Sequence, residues 1–181
     1  PNRAIGSADK DMRMFPGHHV DWNTGEVVAV PMGCFEAYNA DRSKLFGHKW
    51  FWTQMLQGDT ADNIPGLPRL EGKPVGEKRA EKLLANTTDN ASACECVALG
   101  YQLEYGDEWI DRFVEQGLLL WMRRDAAAGI RDFPGFLLGV PWLMSSDREL
   151  ALAINRVEAR IKEAYAEAAR LGSCGLSQDS P

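Results

Sequence analysis

Two pairs of closely spaced aspartates are the residues best suited to chemistry: Asp9 and Asp11 in Asp9-Lys10-Asp11, and Asp59 and Asp62 in Gly58-Asp59-Thr60-Ala61-Asp62-Asn63-Ile64-Pro65-Gly66. Carboxylates gathered at one point hold hard divalent cations through oxygen. The first pair follows an apolar run, Ala4 to Ala8, that reads as a short strand. Ligand crevices of open α/β sheets lie at the carboxyl ends of strands. Residues i and i+2 of a strand point the same way, so Asp9 and Asp11 are expected to face one site. Asp59 and Asp62 stand three apart, a separation that brings side chains together over one helical turn. Each pair alone has a plainer alternative: Asp-x-Asp occurs often in solvated loops, and Asp and Asn beside Gly and Pro cap helices and make turns.

The elements that must position these residues are partly legible. Val20 to Val30 alternate about Asn23-Thr24-Gly25, the pattern of a β-hairpin. Asp41 to Gln57 is dense in aromatic and aliphatic residues (Leu45, Phe46, Trp50, Phe51, Trp52, Met55, Leu56) and predicts a buried helix with Asp41 as N-cap and Gly58 just past its end. Gly58 to Gly76, rich in glycine and proline, predicts a structured loop, followed by a short helix from Glu77 to Ala85. Cys94, Val97, Ala98 and Tyr101 mark one amphipathic helix; Trp109, Ile110, Phe113, Gly117 and Leu120 mark the next, with Asp107 placed to cap it. A last helix opens on the capping box Ser146-x-x-Glu149, repeats Leu150, Ile154, Val157, Ile161, Ala164, Ala168 and Leu171, and is expected to stop at Gly172. Ser173 to Pro181 has the composition of a disordered tail.

Composition bounds the function classes. The 181 residues are 45% hydrophobic and 25% charged, ordinary for a globular protein. No apolar run is long enough to span a bilayer and no secretory leader opens the chain, so the expectation is a cytoplasmic protein with no membrane partner. Four cysteines without a CxxC pair point to reduced thiols rather than zinc or a disulfide framework. A net charge of −6 argues against indiscriminate wrapping of nucleic acid, although aspartates committed to cations would be neutralised in the working state. His18 and His19, adjacent in a turn, read as exposed or hairpin-packing residues. Asp9-x-Asp11 is no EF-hand, since that loop needs Gly at Met14 and Glu at Val20. The start at Pro1, directly into a strand, is read as truncation of a longer domain.

In order and spacing, "SADKDM", then about fifty residues on "GDTADNIPGLP", then "GEKRAEKLL" resemble the 5′ nucleases: bacteriophage 5′→3′ exonucleases, the 5′ nuclease domain of bacterial DNA polymerase I, and flap endonucleases. The likeness runs from about Ile5 to Leu84. It implies an α/β plus α fold: residues 1–57 as the C-terminal part of a PIN-like nuclease domain, 58–134 as a helix-three-turn-helix, helix-hairpin-helix type DNA-binding arch with its following helices, 135–172 as a C-terminal amphipathic helix region and 173–181 as the tail. Asp9, Asp11, Asp59 and Asp62 would be the metal-binding, catalytic acids, holding Mg²⁺ or Mn²⁺, with two ions in the complete enzyme. The substrate would be duplex DNA with a 5′ end or 5′ flap, of the kind handled in DNA replication, and the reaction phosphodiester hydrolysis. Gly66, Arg69, Lys73, Gly76, Lys78, Arg79 and Lys82 would meet the DNA backbone. The plainer reading of the five cations Arg69, Lys73, Lys78, Arg79 and Lys82 is a solvated basic helix face. Relatives hold K⁺ with carbonyls of this loop, so the resemblance allows a K⁺ ion here too.

Two departures matter. The family's compact GxPGIGxKTA-like loop is lengthened here by Leu67 to Pro74, "LPRLEGKP". Its first catalytic acids and substrate-handling residues would lie before the "SADKD" strand, so the chain alone is expected to have little activity. The alternative function is a module that binds the DNA backbone without catalysis. Nothing in the sequence fixes an oligomeric state.

Overall fold

The computed structural model describes residues 4–122 and 147–174. Within them the fold is mixed α/β, with short strands leading into a helical body. Strand β1 (Ala4–Ile5) runs parallel to β2 (Gly17–Val20), which pairs antiparallel with β3 (Val27–Val30) in the register Gly17↔Val30 to Val20↔Val27. The expected hairpin is therefore present. Its turn is held by Asp21, whose carboxylate accepts from Asn23 N and Thr24 N. His18 is exposed; His19 is buried with its ring 5.1 Å from Phe46. Cys34, Cys94 and Cys96 are free thiols.

A second antiparallel pair, β4 (Ala37–Tyr38) and β5 (Leu45–Phe46), replaces the first part of the expected long helix. Asp41 does not cap that helix. Its Oδ1 accepts from Asn39 Nδ2 at 2.6 Å and from Ser43 N at 2.9 Å, closing a tight turn that sends Leu45 and Phe46 into the pair. Helix α1 (His48–Gln57) starts only after Gly47. It is buried on every side, with Phe51, Trp52 and Met55 fully inaccessible, and forms the centre of the molecule.

A hairpin of β6 (Arg69–Leu70) and β7 (Lys73–Pro74) accounts for the inserted "LPRLEGKP". Glu71 and Gly72 at its tip both have positive φ, the requirement of a two-residue type I′ turn. Then come α2 (Glu77–Leu83), α3 (Asn90–Tyr105), α4 (Trp109–Leu120) and α5 (Asp147–Cys174). Asp89 and Ser92 form a reciprocal capping box on α3. Asp107 caps nothing, because a 3-10 turn, Gly106–Glu108, leads straight into α4. Cys94, Val97, Ala98 and Tyr101 of α3 and Ile110, Phe113 and Leu120 of α4 join α1 in the core as their spacing predicts. Leu150, Ala153, Ile154 and Val157 of α5 complete the core. Helix α5 runs through Gly172 to Cys174 rather than stopping there. Ser146 of the expected capping box, and the tail beyond 174, lie outside the described residues. No described helix is long and apolar enough to cross a membrane.

Candidate metal centre

Asp59 is placed by the carboxyl end of α1. Gly58 (φ +74) ends the helix and Gly66 (φ +62) folds the loop back against it. A Cβ on Gly66 would stand 2.3 Å from Gly58 N, and one on Gly58 2.3 Å from Ile64 O, so only glycine allows this approach. Asp59 and Ile64 exchange backbone hydrogen bonds at 2.7 and 2.8 Å across the loop, and Leu67 N donates to Leu56 O at 3.0 Å. Asp59 and Asp62 therefore share a tight turn, not a helical one. Helix α3 braces the same helix end, where Tyr101 Oη donates to Met55 O at 2.8 Å.

Asp11 lies in a 3-10 turn, Lys10–Met14, and Asp9 directly before it, not at a strand end, so strand alternation does not govern them. Asp9 is the N-cap: its Oδ1 accepts from Asp11 N at 3.0 Å. Asp11 turns inward and meets Gln54 of α1, whose Nε2 donates to Asp11 Oδ1 at 2.5 Å.

Asp11, Asp59 and Asp62 thus converge, each offering a carboxylate oxygen within 4.8 Å of the others. Asp9 is not in this group; its charge nevertheless acts on Asp11. Burial, opposed by the Gln54 hydrogen bond and reinforced by Asp59, Asp9 and Asp62, raises the Asp11 pKa. Burial also pushes Asp59 up, but there Lys10 and the Ala61 and Asp62 N–H groups prevail and hold its carboxyl below the ordinary value. Lys10 Nζ sits 2.8 Å from Asp59 Oδ1, and Ala61 N donates to the same oxygen at 3.0 Å. Asp59 Oδ2 is buried with no partner. A buried carboxylate oxygen without a donor, beside two further carboxylates, could hold a metal ion.

Lys10 and Gln54 are the two participants that sequence reasoning missed. Gln54 left a signal, a polar residue inside the apolar run Trp50 to Leu56. Arg13, on the same turn as Asp11, is half-buried with its guanidinium 5.1 Å from the Trp50 ring. Burial lowers its pKa against the opposing pull of Glu77 and Asp11.

The residues expected on DNA separate into two kinds. Gly66 is buried and its N–H donates to Gln116 Oε1 at 2.9 Å, so it packs the loop and has no N–H to offer a phosphate. Arg69 donates to Gly72 O within the β6–β7 hairpin, and Arg79 of α2 donates to Lys73 O, bracing the hairpin against that helix. Lys73, Gly76, Lys78 and Lys82 are exposed. Comparison of the chain with known protein families, characterised proteins and solved structures finds no match.

Proposed function

We propose that this chain is part of a metal-dependent 5′→3′ DNA exonuclease or flap endonuclease, hydrolysing phosphodiester bonds at DNA 5′ ends. The observation that carries the reading is the meeting of Asp11, Asp59 and Asp62 around the bare Oδ2 of buried Asp59. These are three of the four acids that the "SADKDM" and "GDTADNIPGLP" resemblance marks, and they arrive from segments about fifty residues apart.

A divalent cation held there would supply Lewis acidity toward the phosphodiester and a nucleophilic water at neutral pH. The protein's own part is to present the oxygens. Lys10 and Ala61 N–H fix Asp59 from one side, the Gly58–Gly66 contact holds the loop that carries Asp62, and Gln54 fixes Asp11. Asp9 supports the group by capping the turn that carries Asp11. Arg69, Lys73, Lys78, Arg79 and Lys82, with Gly76 at the start of α2, would meet phosphates without reading sequence.

The test is cleavage of 5′-ended duplex and 5′-flap DNA by the complete protein with Mg²⁺ or Mn²⁺. Cleavage that stops in EDTA and is abolished by Asp59→Asn or Asp62→Asn supports the proposal; intact DNA under every metal condition rejects it. The exposed lysines favour a second reading, a DNA-backbone binding module without catalysis. In that case binding persists in EDTA and weakens steeply with salt.

A further inference from the structure

The buried side-chain atoms without a partner among the described residues are Trp50 Nε1, Gln54 Oε1, Gln57 Oε1 and Asp59 Oδ2. All belong to α1 or the turn directly after it. Trp50, Gln54 and Gln57 are spaced i, i+4 and i+7, which places them on one face of the helix. Gln54 is the member of that face in contact with the carboxylates.

Gln54 is fully buried, and its amide can point only one way. The ionised Asp11 carboxylate accepts and cannot donate, so the Gln54 NH₂, which donates to Asp11 Oδ1, faces it and the carbonyl Oε1 looks elsewhere. That oxygen then lacks a donor. Buried acceptors of this kind are destabilising and few in native proteins, and one beside a cation-suited cluster marks a place where a donor arrives. Mg²⁺ and Mn²⁺ bound by a few carboxylates keep several waters, and each water is a donor.

We propose that Gln54 is a positioning residue of the cation centre: its amide N–H fixes Asp11, and its Oε1 accepts a hydrogen bond from a water carried by the ion. This rests on the cation reading given above. Groups that orient ligands in this way govern affinity as well as geometry.

The test is Mn²⁺ binding to the whole chain by electron paramagnetic resonance, with melting temperature in EDTA and in Mn²⁺ measured in parallel. Gln54→Leu is expected to weaken Mn²⁺ binding about tenfold or more while leaving the EDTA melting temperature close to wild type. Gln54→Glu keeps the acceptor and loses the donor, setting a carboxylate against Asp11. Its melting temperature should fall in EDTA and recover in Mn²⁺ by more than wild type gains, a response that a purely structural side chain does not give. If Asp59→Asn abolishes binding while Gln54→Leu binds as tightly as wild type, the role of Gln54 is overturned and the centre stands. Failure of the wild type to bind Mn²⁺ overturns both. Should Gln54→Leu not fold, Gln54→Glu decides, and a Mn²⁺ gain no larger than wild type's overturns the proposal.

Discussion

Lys10 Nζ lies 2.8 Å from Asp59 Oδ1, on a carboxylate whose other oxygen is buried and has no partner. The ammonium thus holds one side of Asp59 and leaves the opposite side bare. Asp59 is 1% exposed and Lys10 36%, so the cation keeps partial contact with water while the anion does not. A buried anion is tolerated when paired and hydrogen-bonded, and here Lys10 and Ala61 N–H supply the pairing.

Lys10→Met should therefore destabilise the protein in EDTA by about 1–3 kcal/mol, toward the lower end because solvent screens the partly exposed ammonium. Mn²⁺ should restore part of the loss by neutralising Asp59 from its free side. Urea unfolding with and without Mn²⁺ measures both effects.

Gly66→Ala should be among the most damaging single changes in the loop, costing about 3 kcal/mol. It forces a Cβ to 2.3 Å from Gly58 N at φ +62, and neither backbone can yield without moving Asp59. Gln116→Leu leaves the same Gly66 N–H buried without an acceptor and should cost about 1–3 kcal/mol. Thermal unfolding of the two variants ranks them.

Helix α5 is tied to α4 by Arg156, whose Nε donates to Asp111 Oδ2 at 2.9 Å while Nη2 bonds Asp111 Oδ1. The Arg156 hydrogen bonds hold the Asp111 carboxyl below its ordinary value. A carboxylate with a lowered folded pKa contributes stability above its unfolded pKa and loses it as pH falls through the folded one. Wild type should therefore lose about 1 kcal/mol of α5 docking on acidification below the usual aspartate range. Asp111→Asn should show that loss already at neutral pH and respond less to acid. Melting temperatures across that pH range test the sign.

If the exposed lysines of β7 and α2 contact DNA backbone, Lys78→Ala or Lys82→Ala should each reduce the slope of log affinity against log salt by about 1. The loss should be uniform across DNA sequences, and anisotropy titrations at several salt concentrations measure it.

Much of this was legible in the sequence, and the misses have physical reasons. The hairpin about Asn23-Thr24-Gly25 and the inner faces of α3 and α4 follow from periodicity, because period reports which side must leave water. Strand alternation fails at Asp9 because its side chain caps a 3-10 turn. Asp41 departs from the expected N-cap for a related reason: an aspartate that can cap a helix can equally close a turn, and the bonds to Asn39 and Ser43 prevail. The resemblance implies a Gly66 that meets the DNA backbone, but the residue that takes its N–H, Gln116, is 50 positions away. Local pattern carries no information about such a partner. Lys10 and Gln54 are likewise defined by contacts made across 49 and 43 residues.

The most direct measurement is anomalous diffraction from crystals of this chain grown with Mn²⁺. A manganese peak is expected in contact with carboxylate oxygens of Asp11, Asp59 and Asp62, with Asp59 Oδ2 among them, and no such peak in Asp59→Asn crystals. Manganese bound elsewhere, or no peak while Lys10 remains seated on Asp59, would contradict it.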